Sequence, residues 1–140
     1  MVGWLAGLWA GLLVGVGFIG APAGFAVGLP ALAGQAAARM FAQEAYASLG
    51  VGVLLLVLLR RRARVDAESG AGSMFSTDML LVLGALFCTV AGYFAVQPMM
   101  EAARAGQGSV SFGVLHGVSA SFYLMKALLV AALAWRLTAR

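Results

Sequence analysis

The chain has 140 residues, of which 63% are hydrophobic and 10% charged, with a formal net charge of +4. That balance excludes an ordinary soluble domain, which cannot keep so much apolar surface from water. The length gives one domain, and four membrane spans leave no room for a soluble catalytic module.

A span takes about 20 apolar residues to cross about 30 Å of hydrocarbon. The first such run is expected over Gly3–Gly28, and no charged side chain precedes Arg39. Ala21-Pro22-Ala23 has the small-residue look of a secretory cleavage site. No basic residue precedes the run, however, and it is longer than a signal h-region, so it reads as a retained span. Gly3, Gly7, Gly11 and Gly15 fall four apart, and Gly20 and Gly24 resume the spacing after a slip of one residue. Such a bare helix face lets another helix approach closely. Part of it is expected to pack inside the subunit and part to form a homo-oligomer interface. Pro22 predicts a kink in this span, and Pro98 a second one at the end of the third.

The second span is expected over Met40–Leu59, preceded by an interfacial helical turn from Ala31. Arg60, Arg61, Arg62 and Arg64 follow it, then Asp66, Glu68 and a Gly/Ser-rich stretch. Residues 60–77 therefore read as a solvated, mobile cytoplasmic loop. The third span is expected over Met79–Met100 and the fourth over Phe112–Trp135. The apolar runs are continuous rather than alternating, which favours helices over a β-barrel. The predicted architecture is all-α, a four-helix transmembrane bundle with up-down topology.

Six basic residues (Arg60, Arg61, Arg62, Arg64, Arg136 and Arg140) fall on one side of that bundle, and two (Arg39 and Arg104) on the other. Cytoplasmic loops carry such an excess, so both termini are expected in the cytoplasm of a cell whose inner membrane holds the chain. The net positive charge follows from this pattern, and nucleic acid is not an expected partner. Trp4, Trp9 and Trp135 are expected at the same inner interface, where indole rings prefer to sit. An internal echo links Ala23–Pro30, AGFAVGLP, with Ala91–Pro98, AGYFAVQP. Two helical hairpins related by an axis along the membrane normal give such a pattern.

Polar residues inside the spans lie at helical spacing. His116, Ser119, Tyr123 and Lys126 share an arc of about 80° at 3.6 residues per turn. Thr89, Tyr93, Gln97 and Glu101 form a stripe on the third span, and Arg39, Gln43 and Glu44 open the second. Ionisable groups within a membrane are costly and face the bundle interior or water. The stripes predict a polar crevice in the outer half of the bundle. His116 is its expected titratable or ligand-binding group, within reach of a polar group on the second or third span. Glu44 and Glu101 are expected to draw in cations, with Arg39, Tyr93, Gln97, Ser119 and Tyr123 around the solute. Lys126 is expected to act as an inner charge barrier whose replacement by Met is tolerated in folding or even stabilising. Interhelical hydrogen bonds that merely fix packing, each worth about 0.6 kcal/mol, are the competing reading for Ser119, Thr89 and the tyrosines.

Cys88 is the only cysteine and His116 the only histidine, which excludes an internal disulfide and a two-histidine heme site on one chain. No metal site and no cofactor is assigned, and no phosphate loop or nucleophile elbow occurs.

Several stretches together resemble the transmembrane protein 205-like family. They are Trp9-Ala10-Gly11, Phe18-Ile19-Gly20, Gly24-Phe25 and Leu29-Pro30; Ala33-Gly34-Gln35, Arg39-Met40-Phe41 and Tyr46; Gln97-Pro98; and Phe112 to Ser119, FGVLHGVS. The chain departs from that family at Tyr123, where an asparagine is frequent. The resemblance implies a four-helix integral membrane protein without an assigned activity. It raises the standing of His116, Ser119, Pro22, Arg39 and Pro98. The leading functional expectation is a non-enzymatic membrane protein that binds or passes a small solute or ion. A porphyrin-handling or redox enzyme and a structural subunit of a larger complex are the alternatives.

Overall fold

The structure is a computed structural model that describes residues 1–70, 73 and 75–139. Arg140, counted above with the inner basic residues, lies outside the described residues. Among the described residues, four helices are long and apolar enough to cross a membrane: α1 (Val2–Val27), α2 (Pro30–Glu68), α3 (Thr77–Arg104) and α4 (Phe112–Thr138). The chain is a multi-pass membrane protein on this ground. Ser76 and Ser111 cap α3 and α4, their hydroxyls accepting from the Met79 N–H at 3.3 Å and the Val114 N–H at 3.4 Å. Such caps satisfy donors that a helix start leaves unpaired.

α2 corrects two expectations. It is one helix of 39 residues, with neither a separate turn at Ala31 nor a loop beginning at Arg60. At about 1.5 Å per residue it extends about 58 Å, so the arginines ride on a helix that outruns the hydrocarbon. Arginine, leucine, alanine and glutamate are strong helix formers, and no glycine or proline interrupts Val53–Glu68. The helix stops at Ser69 and Gly70, whose φ of +75° is the left-handed cap that glycine adopts readily.

α1 and α3 are not uniform. Each contains six residues of π-helix, Gly15–Gly20 in α1 and Val90–Ala95 in α3. Pro22 follows the first stretch and Pro98 the second. A proline supplies no N–H to the ladder, and a wider turn ahead of it takes up the mismatch. The Ala21 N–H, for example, reaches back five residues to the Val16 carbonyl. The helices thus leave α geometry ahead of each proline.

α4 packs along α1 and α3, and α2 packs along the same two helices. The main core occupies the end that carries Arg60–Arg64 and Arg136. Trp9, Leu13, Leu55, Val82, Val130 and Leu133 are its largest fully enclosed members. Beyond the π stretches the arrangement changes. Ala21–Val27 packs against α2, while Val96–Arg104 packs against α4. The molecule therefore parts into two hairpins toward the short connections after Val27 and Arg104. A small second cluster of Val96, Met100 and Leu115 closes the α3–α4 hairpin there.

Close helix contact does not follow the glycine ladder. Among the described residues, no packing neighbour lies within 4 Å of where a Cβ would stand at Gly7, Gly11, Gly15 or Gly24. Internal packing on that ladder is confined to Gly3, whose Cβ would stand 3.0 Å from the Leu137 carbonyl, and Gly20, against Met40. The glycines that admit a neighbour are others. A Cβ at Gly17 would run into the Tyr123 ring, one at Gly92 into Phe122, and one at Gly52 would stand 2.6 Å from Leu86.

Candidate functional site

The site is built from the middle of the helices outward. Glu44 and Ser48 lie one turn apart on α2, and the Ser48 hydroxyl donates to the Glu44 carboxylate. The Trp9 indole N–H of α1 donates to Ser48 Oγ at 2.8 Å. Lys126 Nζ of α4 donates to both Glu44 oxygens, at 2.8 and 2.9 Å. All four side chains are buried, Glu44 and Lys126 at 2% exposure each. Lys126 Nζ also lies 4.8 Å from the centroid of the Tyr123 ring, within cation–π range. The Tyr123 hydroxyl donates to the Leu13 carbonyl at 2.8 Å, two residues ahead of the α1 π stretch. One buried polar cluster thus ties three helices together.

This geometry changes two expectations. Glu44 is not a free carboxylate that recruits cations, because both its oxygens are engaged. Removal of Lys126 would strand a buried carboxylate, so its replacement is expected to cost stability rather than to be tolerated. Breaking one side of a buried pair costs about 3–5 kcal/mol, whereas replacing the whole pair is often neutral.

Above this cluster, toward the short connections, lies a cavity of about 780 Å³. That volume lies within the range of small-molecule sites, about 300–1,000 Å³. Lys126 and Glu44 line its deep end, and Phe18, Phe25, Phe41, Met100, Phe112 and Leu124 supply much of its apolar wall. Both π stretches border it, through Gly17 and Phe18 on α1 and Gly92 and Tyr93 on α3. The Ser119 hydroxyl donates to the Gly92 carbonyl at 2.7 Å and so pins α4 to the second stretch. Phe41 meets Tyr123 edge to face, with centroids 5.2 Å apart.

The cavity brings together His116, Ser119, Gln97, Tyr93, Tyr123, Glu44 and Lys126, all singled out in the sequence. Arg39 and Glu101 are not brought in. Both are exposed and neither lines the cavity. Thr89 is buried and donates to its own helix at the Ala85 carbonyl, 2.9 Å away. His116 stacks on Phe112, one turn earlier, with centroids 5.9 Å apart and planes inclined by 16°. Among the described residues, no hydrogen bond joins it to a polar group on α2 or α3. Among the described residues, no group of three His, Cys, Asp or Glu side chains stands ready for a metal.

Three participants were missed. Trp9 was expected at the membrane interface, yet it is 1% exposed and bonded to Ser48, while Trp4 and Trp135 are exposed. Ser48 itself carried a signal, four residues after Glu44 on the same helix face. Arg104 was counted only for topology, yet it lines the cavity and its guanidinium lies 4.7 Å from the Phe112 ring centroid. A second ion pair, Arg136 Nε to Asp78 at 2.7 Å, closes the opposite end of the molecule.

Residues 4–109 match the model of a domain of unknown function, DUF4149. The chain belongs to that family. No curated protein and no solved structure matches it. The DUF4149 match carries no link to the transmembrane protein 205-like family. It takes in α1, α2 and α3 and ends before α4. Glu44, Ser48, Gln97 and Arg104 are thus within the matched residues, and His116, Ser119, Tyr123 and Lys126 outside them.

Proposed function

We propose that this DUF4149 protein is a small-molecule-binding membrane protein whose binding site is the cavity between the parted hairpins. The observation that carries the reading is the cavity itself: about 780 Å³ of mainly apolar space above the buried Glu44–Lys126 pair. A cavity of that size is poorly hydrated where its wall is aromatic, so it favours an apolar molecule with few polar groups. Phe18, Phe41 and Leu124 contact the body of that molecule. Ser119 and Gln97 orient it, and the ion pair sets how deep it descends. The protein binds or passes this solute; cation recruitment by Glu44 is not part of the reading. The test is extraction and mass analysis of small molecules that co-purify in mild detergent. Ala120→Trp places an indole in the cavity, and it should lose a molecule that the parent retains. Equal recovery from both proteins overturns the proposal.

The reading extends to the setting. The four helices form an up-down bundle in a bacterial inner membrane, with both termini cytoplasmic. Arg60, Arg61, Arg62, Arg64 and Arg136 at one end support this orientation. Copies of the chain associate through α1. The open face at Gly7, Gly11 and Gly15 supports that association.

A further inference from the structure

The far end of the cavity carries charge that the binding reading leaves unused. Arg104 ends α3, and His116 lies one turn into α4; both line the cavity. Phe112 joins them, with the guanidinium 4.7 Å from its centroid and the imidazole stacked on it at 5.9 Å. Stacking on a ring limits the rotamers of a long side chain and leaves its N–H donors free. Among the described residues, no ion pair or hydrogen bond engages either side chain. Glu101, one turn before Arg104, is exposed and forms no ion pair with it.

The backbone adds to this. The carbonyls of Glu101, Ala102 and Ala103 at the end of α3 accept N–H groups from Ala105, Gln107 and Gly106. They are therefore turned to the connection. At the start of α4, where the Ser111 hydroxyl already accepts from the Val114 N–H, the positive end of a 27-residue helix lies beside Phe112. A planar guanidinium with five donors matches phosphate and carboxylate oxygens. The cavity behind is apolar, so the group that fits is the anionic head of a molecule with an apolar body.

We infer that the cavity takes an anionic amphiphile, its phosphate or carboxylate head held by Arg104 and His116 and its apolar body running inward past Phe25 and Phe18. The inference rests on the binding role proposed above and names the ligand class for it. Such a ligand is a component of the bilayer and enters between the parted hairpins, with its head at the membrane surface. A free phosphate satisfies the head site and leaves the apolar space empty, so an amphiphile is the better match.

The test is photolabelling of the full chain in phosphatidylcholine nanodiscs. The probe is hexadecyl phosphate with a diazirine on its chain. Labelling is expected on α1 and α4 residues that line the cavity. Unlabelled hexadecyl phosphate should displace it about tenfold better than hexadecanol, the order of one charge-assisted hydrogen bond. Inorganic phosphate alone should displace little. Arg104→Gln, at an exposed position, should bring the two competitors level, and Arg104→Lys should restore part of the difference. If both competitors act equally on the parent, the anionic head is overturned while cavity binding stands. If inorganic phosphate displaces as well as the amphiphile, the site takes a free anion and the lipid-like ligand is overturned. If labelling falls outside the cavity, the binding role and this inference fail together.

Discussion

Glu44 and Lys126 show what a single residue can decide. Each is 2% exposed, and each is tolerable only because of the other. Lys126→Met should therefore destabilise the protein by about 3–5 kcal/mol, and Glu44→Gln with Lys126→Met should recover most of that loss. Reversible unfolding in mixed micelles with rising dodecyl sulfate measures both. A single variant as stable as the parent contradicts the pairing. Both residues were visible in the sequence as costly groups inside spans. Their partnership was not, because helical spacing tells which residues share a face and not which face of another helix they meet. Trp9 was misplaced for a related reason. An indole at a span end reads as an interface anchor, and only the packing of α1 on α2 reveals Ser48 opposite its N–H.

Among the elements, the π stretches govern shape. They stand where the two hairpins part, and each brings a glycine, Gly17 or Gly92, against α4. The open glycines on α1 do no such work within one subunit. Gly92→Val should cost about 1–3 kcal/mol through overpacking against Phe122. Gly11→Leu should leave the stability of the isolated subunit unchanged and reduce association. Thermal unfolding and crosslinking in detergent separate these outcomes. Equal loss of stability in both variants contradicts the assignment of faces. The spans themselves were legible, because continuous apolar runs leave helices as the natural choice in lipid. The π geometry was not, since an apolar run looks the same in either register; Pro22 and Pro98 were the only markers. The helical run through Arg60–Glu68 was misread because charge was weighed above helix propensity, which that stretch favours throughout.

For the whole molecule, the division is between a packed end and an open one. The packed end bears the arginines, and the proposed orientation sets it in the cytoplasm. Single cysteines at Ser69 and Gly106 check this in intact cells, with the buried Cys88 replaced by Ala. A membrane-impermeant thiol reagent should label position 106 and spare position 69; the reverse pattern inverts the molecule. From the stripes on α3 and α4 the sequence predicts a polar crevice in the outer half of the bundle, and several residues of those stripes do line the cavity. That prediction overstated the polarity, because the aromatic and methionine residues of the cavity wall look like ordinary span residues until the hairpins are seen to part. The claim at the centre of this account is that the space above Glu44 and Lys126 holds a small molecule. A structure determined in a lipid nanodisc tests it most directly. Non-protein density between α1, α3 and α4, reaching down toward Lys126 and ending beside Arg104, is the expected result. Hairpins closed on each other, with Phe18, Phe41 and Phe112 filling the space, would contradict it.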